Sequence, residues 1–191
     1  MLLALLGAAF AAPPPGVVLV SPEAPDVPEL YRQQKAGDSD LHCRPLVDEV
    51  LLLCFKIELE GKRRYVTEAD LQSWGSSAAE LEQAARASLS DNPLKPQQVP
   101  GTGSYLLAQG DRAPAVLLHP EWLAEVGPEP VVALPARGVV VAWQPGDEEL
   151  DKVVAVGARK MFEELPHPVS SVIVQHSPEE GWRRWGEARP R

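Results

Sequence analysis

Apolar runs of strand length, joined by turn residues, occur in two parts of the chain. Residues 46–59 are rich in Val, Leu, Phe and Ile, end in an alternating Ile-Glu-Leu-Glu, and lead through a Gly-Lys turn into residues 63–66. Two further apolar runs, at 131–134 and 139–143, flank a Pro-Ala-Arg-Gly turn. Apolar runs on either side of a short turn that contains Gly are typical of hairpins, so both patterns predict pairs of antiparallel strands.

Apolar residues at helical spacing predict helices between and after these hairpins. Thr67 and Asp70 form a capping-box pattern at the start of a short helix that stops at Gly75. A second helix with one apolar face is predicted from Ser77 to an Asn-Pro pair. The longest predicted helix covers residues 148–165. Its apolar stripe consists of Leu150, Val154, Ala158, Met161 and Leu165.

Three further strands and one short helix are predicted between and after these hairpins and helices. Strands are predicted at residues 104–109 and 169–175 and near Gly181, and the later part of 116–126 is predicted to be helical. Hairpins therefore mix with helices, without the regular alternation of strand and helix that is typical of parallel sheets. This order predicts an α+β fold, in which three to four helices pack on a mixed or mainly antiparallel sheet.

The N-terminal part of the chain has the composition of a leader followed by a tether. Residues 1–11 contain an apolar run and an Ala-Phe-Ala sequence typical of a secretory signal peptide, although a basic start is missing. Residues 12–40 are rich in Pro and polar residues, which predicts a tether in which 17–20 could add an edge strand. We therefore expect a single domain at 41–186 and a tail at 187–191.

The leader and the net charge bear on location and partners. A signal peptide predicts export to the periplasm or the outside, and otherwise the protein is expected in the cytoplasm. The apolar run is much shorter than the ~20 residues that cross a bilayer, and no other stretch qualifies, so no transmembrane span is expected. The net charge of −9 argues against nucleic-acid binding, which needs clustered Lys and Arg. The expected partner is an unknown protein or a small ligand.

The two cysteines, Cys43 and Cys54, have two possible states. In an exported protein they could form a disulfide that closes a short loop, whereas in a cytosolic protein we expect buried thiols. Cys54 lies inside an apolar run, so the sequence predicts that this residue is buried in either case.

The order of motifs resembles that of the YtpQ family, a group of bacterial proteins of unknown function. The likeness rests on PLVDEVLLLCFKIELEGKRRYVTEADLQSWGSSAAELEQAARASLSD at 45–91, VVALPARGVVVAW at 131–143 and VSSVIVQHSPEEGWRRW at 169–185, and extends over about residues 41–186. Pro114 departs from the family pattern. The resemblance implies the same α+β fold, and because the family has no established activity it implies no site residues.

No motif in the sequence predicts a specific chemistry. Residues 38–43 combine carboxylates, a His and a Cys, but no second ligand pair follows, so no metal site is predicted. His119 and Glu121 could supply a base and a carboxylate, yet the Pro between them is typical of a helix start. Convergence of two or more of His119, Glu121, His176 and Asp111 within hydrogen-bond reach in a pocket would favour an enzyme. The chain has neither a nucleophile elbow nor a glycine-rich nucleotide loop, so no cofactor is expected.

The aromatic residues provide the remaining functional signal. Trp143, Trp182 and Trp185 lie at strand ends near the C-terminus and could form a patch that binds a partner, or could instead cap the core. The first hypothesis is therefore a non-catalytic binding or interaction module. The alternatives are a hydrolase whose site is assembled only in three dimensions and a structural partner in the cytosol, and the sequence does not decide between enzyme and binding module.

Overall fold

The computed structural model describes residues 17–23, 28, 40–47, 50–90 and 92–186. Within these residues, ten strands form two antiparallel sheets, and helices pack against them. The α+β prediction is confirmed, and the sheets are antiparallel throughout their described pairings. In the described part of the chain, no helix is both long enough and apolar enough to cross a lipid bilayer.

The smaller sheet is built around one long apolar strand. Its strands are β1 (Val17–Glu23), β2 (Cys43–Val47), β3 (Leu51–Leu59) and β4 (Lys62–Tyr65). β1 pairs along one edge of β3, while β2 and then β4 pair along its other edge. The alternate residues Leu51, Leu53, Phe55 and Ile57 of β3 are all buried in one core, which explains why this strand is the centre of the sheet.

The larger sheet has six strands in the order β10-β9-β7-β8-β6-β5. These strands are β5 (Gln97–Gln98), β6 (Ser104–Leu107), β7 (Val131–Ala136), β8 (Val139–Trp143), β9 (Ile173–Ser177) and β10 (Gly181–Arg184). The two hairpins predicted from apolar runs and turns, β3–β4 and β7–β8, are confirmed, although residues 46–47 of the first predicted strand belong to β2. β7 is buried along its whole length, because both faces of the larger sheet are covered at this strand.

The helices place the larger sheet between two cores. They are α1 (Glu68–Trp74), α2 (Ala78–Ser90) and α3 (Glu148–Glu164), with two 3-10 segments at Gly110–Leu117 and Pro120–Leu123. The first core joins the smaller sheet, α2 and the 3-10 segments to one face of the larger sheet. The second core is small and joins the opposite face to α3, with Trp185 packed at its edge. Val154 and Ala158 of the predicted stripe are buried in it.

Two sequence predictions need correction. Residues 17–23, which the composition placed in a tether, form β1, and the chain there is buried because Val18, Leu19 and Val20 enter the first core. The suggestion of an edge strand at 17–20 is confirmed. The helix predicted in 116–126 is replaced by the short 3-10 segments, because prolines at 114 and 120 remove backbone donors that a continuous α-helix needs.

Several predictions lie outside the described residues. Residues 1–11 and 187–191 are not described, nor are most of the residues between 24 and 39. The signal peptide, the remaining tether, export and the C-terminal tail therefore stay predictions.

A disulfide joins Cys43 to Cys54, which face each other across β2 and β3. β2 also contains Pro45, which cannot donate a backbone hydrogen bond, so the ladder between these strands is incomplete. The register between them shifts after Pro45. The covalent bond thus holds a strand that backbone pairing holds only in part.

Replacing both cysteines, as Cys43→Ala with Cys54→Ala, is expected to lower the free energy of unfolding by about 2–3 kcal/mol. The reason is that the bond closes a loop between residues 11 positions apart and so restricts the unfolded chain. Urea denaturation of the oxidised protein and the double variant measures the difference. Reduced wild-type protein serves as the control and should match the variant, whereas equal stability of oxidised and reduced protein would contradict the prediction.

Asp70 fixes the start of α1 through a capping box. Its carboxylate accepts hydrogen bonds from the backbone and hydroxyl of Thr67, both at 2.9 Å, and pairs with both terminal nitrogens of Arg64. Partial burial opposes ionisation, but the hydrogen bonds from Arg64 and Thr67 outweigh it and lower the pKa of Asp70. A lowered pKa in the folded state stabilises the fold above the unfolded pKa, and this contribution is lost as the pH falls through the folded pKa.

Asp70→Asn is expected to reduce the free energy of unfolding by about 1 kcal/mol near neutral pH, because it weakens the cap and the Arg64 pair. The difference from wild type should shrink below about pH 4, where unfolded aspartate becomes protonated and the wild-type carboxylate loses its advantage. Urea denaturation at neutral and acidic pH measures both values. A difference that does not depend on pH would show that the carboxylate charge is not the cause.

Candidate functional site

The three tryptophans proposed as a partner-binding patch do not lie on a common surface. Trp143 is 0% exposed, and its indole Nε1 donates to Asp151 Oδ1 at 2.9 Å. Trp185 packs edge-on against Trp143 in the second core, with ring centroids 5.6 Å apart. Trp182 packs against the first core instead, on the opposite face of the larger sheet, where its Nε1 donates to the carbonyl of Leu117. The three residues therefore do not form one patch: Trp143 is buried inside the second core, and Trp182 and Trp185 pack against different cores, as the alternative interpretation as core caps expects.

His119 and Glu121 are hydrogen-bonded to each other, as the enzymatic alternative required, but no ring nitrogen of His119 is left for a substrate. Nδ1 of His119 lies 2.7 Å from Glu121 Oε1, and Nε2 lies 3.2 Å from the backbone oxygen of Arg86. The His119 ring is stacked on Trp122 at 4.3 Å and the residue is only 7% exposed. Burial opposes ionisation of Glu121, but the bond from His119 outweighs it and lowers its pKa. Both ring nitrogens are occupied, so the imidazole has no open position for a substrate.

The other two residues of the enzymatic alternative do not take part in the hydrogen bonds that join His119 to Glu121 and Arg86. Asp111 forms an ion pair with Arg63. His176 lies edge-on to Trp182 at 5.0 Å; burial lowers the pKa of this histidine, and the Glu121 carboxylate only partly offsets that effect. Among the described residues, no group of three or more His, Cys, Asp or Glu side chains could hold a metal ion.

The acidic run at the start of α3 has a structural role. The carboxylate of Asp147 accepts hydrogen bonds from the backbone N–H groups of Glu149 and Leu150, and therefore caps the helix. Asp151 is likewise engaged, because it accepts from Trp143 and from the backbone of Gly146.

A buried polar cluster lies on the smaller sheet, and the sequence did not reveal it. Nζ of Lys56 on β3 donates to the hydroxyl of Ser21 on β1 at 2.9 Å and lies 3.7 Å from Glu23 Oε1. The hydroxyls of Ser21 and Tyr65 both donate to the same carboxylate oxygen of Glu23, each at 2.5 Å. Arg137, from the turn between β7 and β8, approaches that oxygen to 4.0 Å. We call these five residues the polar cluster.

Burial governs the electrostatics of the polar cluster. Lys56 and Glu23 are each 9% exposed, and the ammonium of Lys56 also lies over the ring of Tyr65, 4.5 Å from its centroid. Burial lowers the pKa of Lys56, and the nearby Glu23 carboxylate only partly offsets it. Burial, followed by the hydrogen bond to Glu23, raises the pKa of Tyr65. The cluster therefore joins β1 to β3, β4 and the β7–β8 turn through mutually satisfied groups.

An open apolar groove lies beside α3, over strands β6 and β8. It encloses about 350 Å³. Its lining residues are Val99, Thr102, Ser104, Leu106, Val141, Val153, Val154, Gly157, Ala158 and Met161. The two polar members are already engaged, because the hydroxyls of Thr102 and Ser104 lie 2.7 Å apart and share a hydrogen bond. The groove thus offers apolar contact and almost no polar recognition.

The two ends of this groove differ. At the end near the start of α3, the loop at Gly103 lies against Leu150, so closely that a Cβ on Gly103 would meet the Leu150 side chain at 2.9 Å. Further along α3, a Cβ on Gly157 would meet nothing within 4 Å. Val153, between these positions, is 65% exposed. The groove is therefore closed at the start of α3 and open beside Gly157.

A second cavity, of about 450 Å³, lies on the other flank of α3. Its lining mixes acidic, basic and apolar residues: Gly146, Glu148, Asp151, Lys152, Ala155, Val156, Arg159 and Trp185. Trp185 is the only residue of the predicted patch that lines either of these two cavities. Because the charges of both signs balance here, this cavity gives no clear chemical preference.

Comparisons with protein-family models, with curated proteins and with solved structures found no match to this chain. Membership of the YtpQ family therefore stays a prediction. Function has to be argued from the surfaces and side chains described above.

Removing either charge of the polar cluster is expected to destabilise the protein strongly. Lys56→Met and Glu23→Leu should each cost about 3 kcal/mol, because each leaves a buried charge without its main partner. The double variant should cost at least ~1 kcal/mol less than the sum of the single variants, since the two groups are in direct contact. Urea denaturation of the wild type, the two single variants and the double variant gives the four free energies of this double-mutant cycle.

An exposed pair at the same separation provides the control. Lys160 and Glu164 also lie 3.7 Å apart, but their side chains are 70% and 64% exposed. Lys160→Met and Glu164→Leu should each change the stability by less than about 1 kcal/mol. Equal effects in the buried and exposed pairs would mean that burial does not determine the strength of the cluster.

Proposed function

We propose that the protein is a non-catalytic binding module whose ligand occupies the apolar groove beside α3. The observation that supports this proposal is an open groove of about 350 Å³ whose lining is almost entirely aliphatic. Ligand pockets have volumes of roughly 300–1,000 Å³ and mainly apolar linings, and this groove falls within that range. The groove is too open to be an internal packing defect, because Val153 at its rim is largely exposed.

Two residues at the rim of the groove contribute little to the stability of the protein without a ligand. Full burial of a valine side chain is worth roughly 1.5–3 kcal/mol, and Val153 gains little of it. Gly157 occupies the interior of α3, where glycine costs about 1 kcal/mol relative to alanine, and no described neighbour requires its small size. Both features become favourable if a ligand covers Val153 and approaches the helix backbone at Gly157.

The enzymatic alternative has weaker support. A hydrolase would need an accessible base, whereas His119 is buried beneath Trp122 and both of its ring nitrogens have partners. Ser21 and Lys56 are in contact, but each belongs to a hydrogen-bonded cluster that is nearly sealed from solvent. A binding function requires no rearrangement of these groups.

Two substitutions at Gly157 separate binding from folding. Gly157→Ala is expected to raise the free energy of unfolding by roughly 0.5–1 kcal/mol, because alanine favours the helix and its Cβ enters open space. Gly157→Leu should also fold stably, but its side chain should fill the groove. We therefore expect saturable binding of the neutral apolar dye Nile red by wild type and its loss in Gly157→Leu, measured by fluorescence.

Val156→Leu is the matched control, because it adds bulk on the opposite flank of α3. This variant should bind Nile red as wild type does. Loss of dye binding in both variants, or retention in a correctly folded Gly157→Leu, would contradict the assignment of the ligand to the groove. Thermal unfolding of each variant shows whether it is folded.

A further inference from the structure

The two edges of β3 are held in different ways. β1 forms seven consecutive residue pairs along one edge of β3, and Val18, Leu19 and Val20 are at most 5% exposed. On the other edge, β2 forms four residue pairs, and their register shifts after Pro45. All five residues of β2 stay at least partly exposed. The disulfide therefore lies on the edge of β3 where the non-covalent attachment is weaker.

The other contacts of β2 are partly open to solvent. Leu46 and Val47 pack against the first core, but neither is fully buried. Nε of Arg44 lies 2.8 Å from Oε2 of Glu82 on α2, and the two side chains are 38% and 24% exposed. β2 also contacts β10 of the larger sheet. Since ion pairs that reach solvent contribute little, the covalent bond is the strongest single restraint on this strand.

The disulfide is accessible from the side of β2. Cys54 is 0% exposed, whereas Cys43 is partly exposed on the edge strand. A disulfide is reduced when a thiolate attacks one of its sulfurs, so access to that sulfur limits the reaction. In this fold a reductant approaches Sγ of Cys43, and the buried Cys54 is the leaving group.

We propose that the Cys43–Cys54 bond is a redox-sensitive switch, which holds β2 on β3 when oxidised and releases residues 43–47 when a dithiol reduces it. One thiolate of the reductant forms a mixed disulfide with Cys43, and Cys54 leaves with the electron pair of the S–S bond and takes up a proton. The second thiol of the reductant then displaces Cys43, which is protonated in turn. The products are two protein thiols and one oxidised dithiol, and the edge of β3 at residues 51–54 becomes free. The switch lies in the smaller sheet and does not depend on the proposed ligand.

Contacts on both sides of β2 keep this release local. Immediately before β2, the backbone N–H of His42 donates to the carbonyl of Val66 at 2.8 Å, and Nδ1 of His42 lies 2.6 Å from Glu68. After β2, Leu51 and Leu53 of β3 belong to the first core, and β1 pairs with the other edge of this strand. Loss of β2 removes none of these contacts. The rest of the fold therefore keeps its core when the bond opens.

Amide hydrogen exchange of the full-length protein, oxidised or reduced with dithiothreitol in the absence of denaturant, tests the switch. In the oxidised protein we expect β2 to be protected from exchange, as the other strands are. After reduction, β2 should exchange within about tenfold of the rate of an unstructured chain, whereas β7 and β8 should stay protected about 100-fold or more. Reoxidation should restore the protection of β2. Continued protection of β2 after reduction, or loss of protection in β7 and β8 as well, would overturn a local release.

Alkylation of free thiols and mass spectrometry show whether the folded protein is reduced. Dithiothreitol should yield two alkylated cysteines in native buffer. A bond that opens only after urea is added would overturn the switch, because the folded protein would then never release β2.

Two variants separate the bond from the ion pair beside it. Arg44→Ala removes the contact with Glu82 but keeps the disulfide, so it should change the protection of β2 by less than about fivefold. Cys43→Ala with Cys54→Ala should show the exchange pattern of the reduced protein, and dithiothreitol should not alter it. Loss of β2 protection in oxidised Arg44→Ala, or a protected β2 in the cysteine double variant, would overturn the role assigned to the disulfide.

Discussion

Apolar side chains project from both faces of β7 and β8, and each face must be covered by another layer. In β7 the side chains of Val132 and Leu134 enter the first core, while those of Val131 and Ala133 enter the second. The first face is covered by the smaller sheet, α2 and two 3-10 segments. The second face is covered by α3, with Trp185 packed at the edge of the core. Because the first face is covered more completely than the second, apolar surface stays open on the α3 side of the larger sheet.

Short-range patterns predicted the elements that depend only on neighbours in sequence. The β3–β4 and β7–β8 hairpins and the stripe of α3 were found because apolar runs, turn residues and helical spacing are local features. β1 was assigned to a tether because prolines surround it, although only long-range pairing with β3 determines its place. The same limit applies to Gly110–Leu117, where apolar residues pack well without forming an α-helix around Pro114.

The exposed apolar residues of α3 were partly predictable from the sequence. Val153 and Val156 fall outside the apolar stripe of α3, so their exposure on the polar side of the helix could have been read from helical spacing. The aromatic patch failed for a geometric reason, because Trp182 and Trp185 are three positions apart near β10 and alternate side chains reach opposite faces. Lys56 lies within an otherwise apolar strand, and this position in the sequence could have indicated the buried polar cluster.

The polar cluster and the groove differ in the free energy that a ligand would have to spend in order to bind there. A ligand that entered the cluster would have to separate Lys56 from Ser21 or Tyr65 from Glu23, and each buried group left without a partner costs about 1–3 kcal/mol. Binding in the groove breaks no such bond, and each Å² of apolar surface that it covers contributes roughly 25 cal/mol. The cluster and the disulfide therefore fix the smaller sheet, whereas a ligand beside α3 would gain apolar contact without breaking a hydrogen bond of the protein, a gain that has to exceed the entropy lost on association.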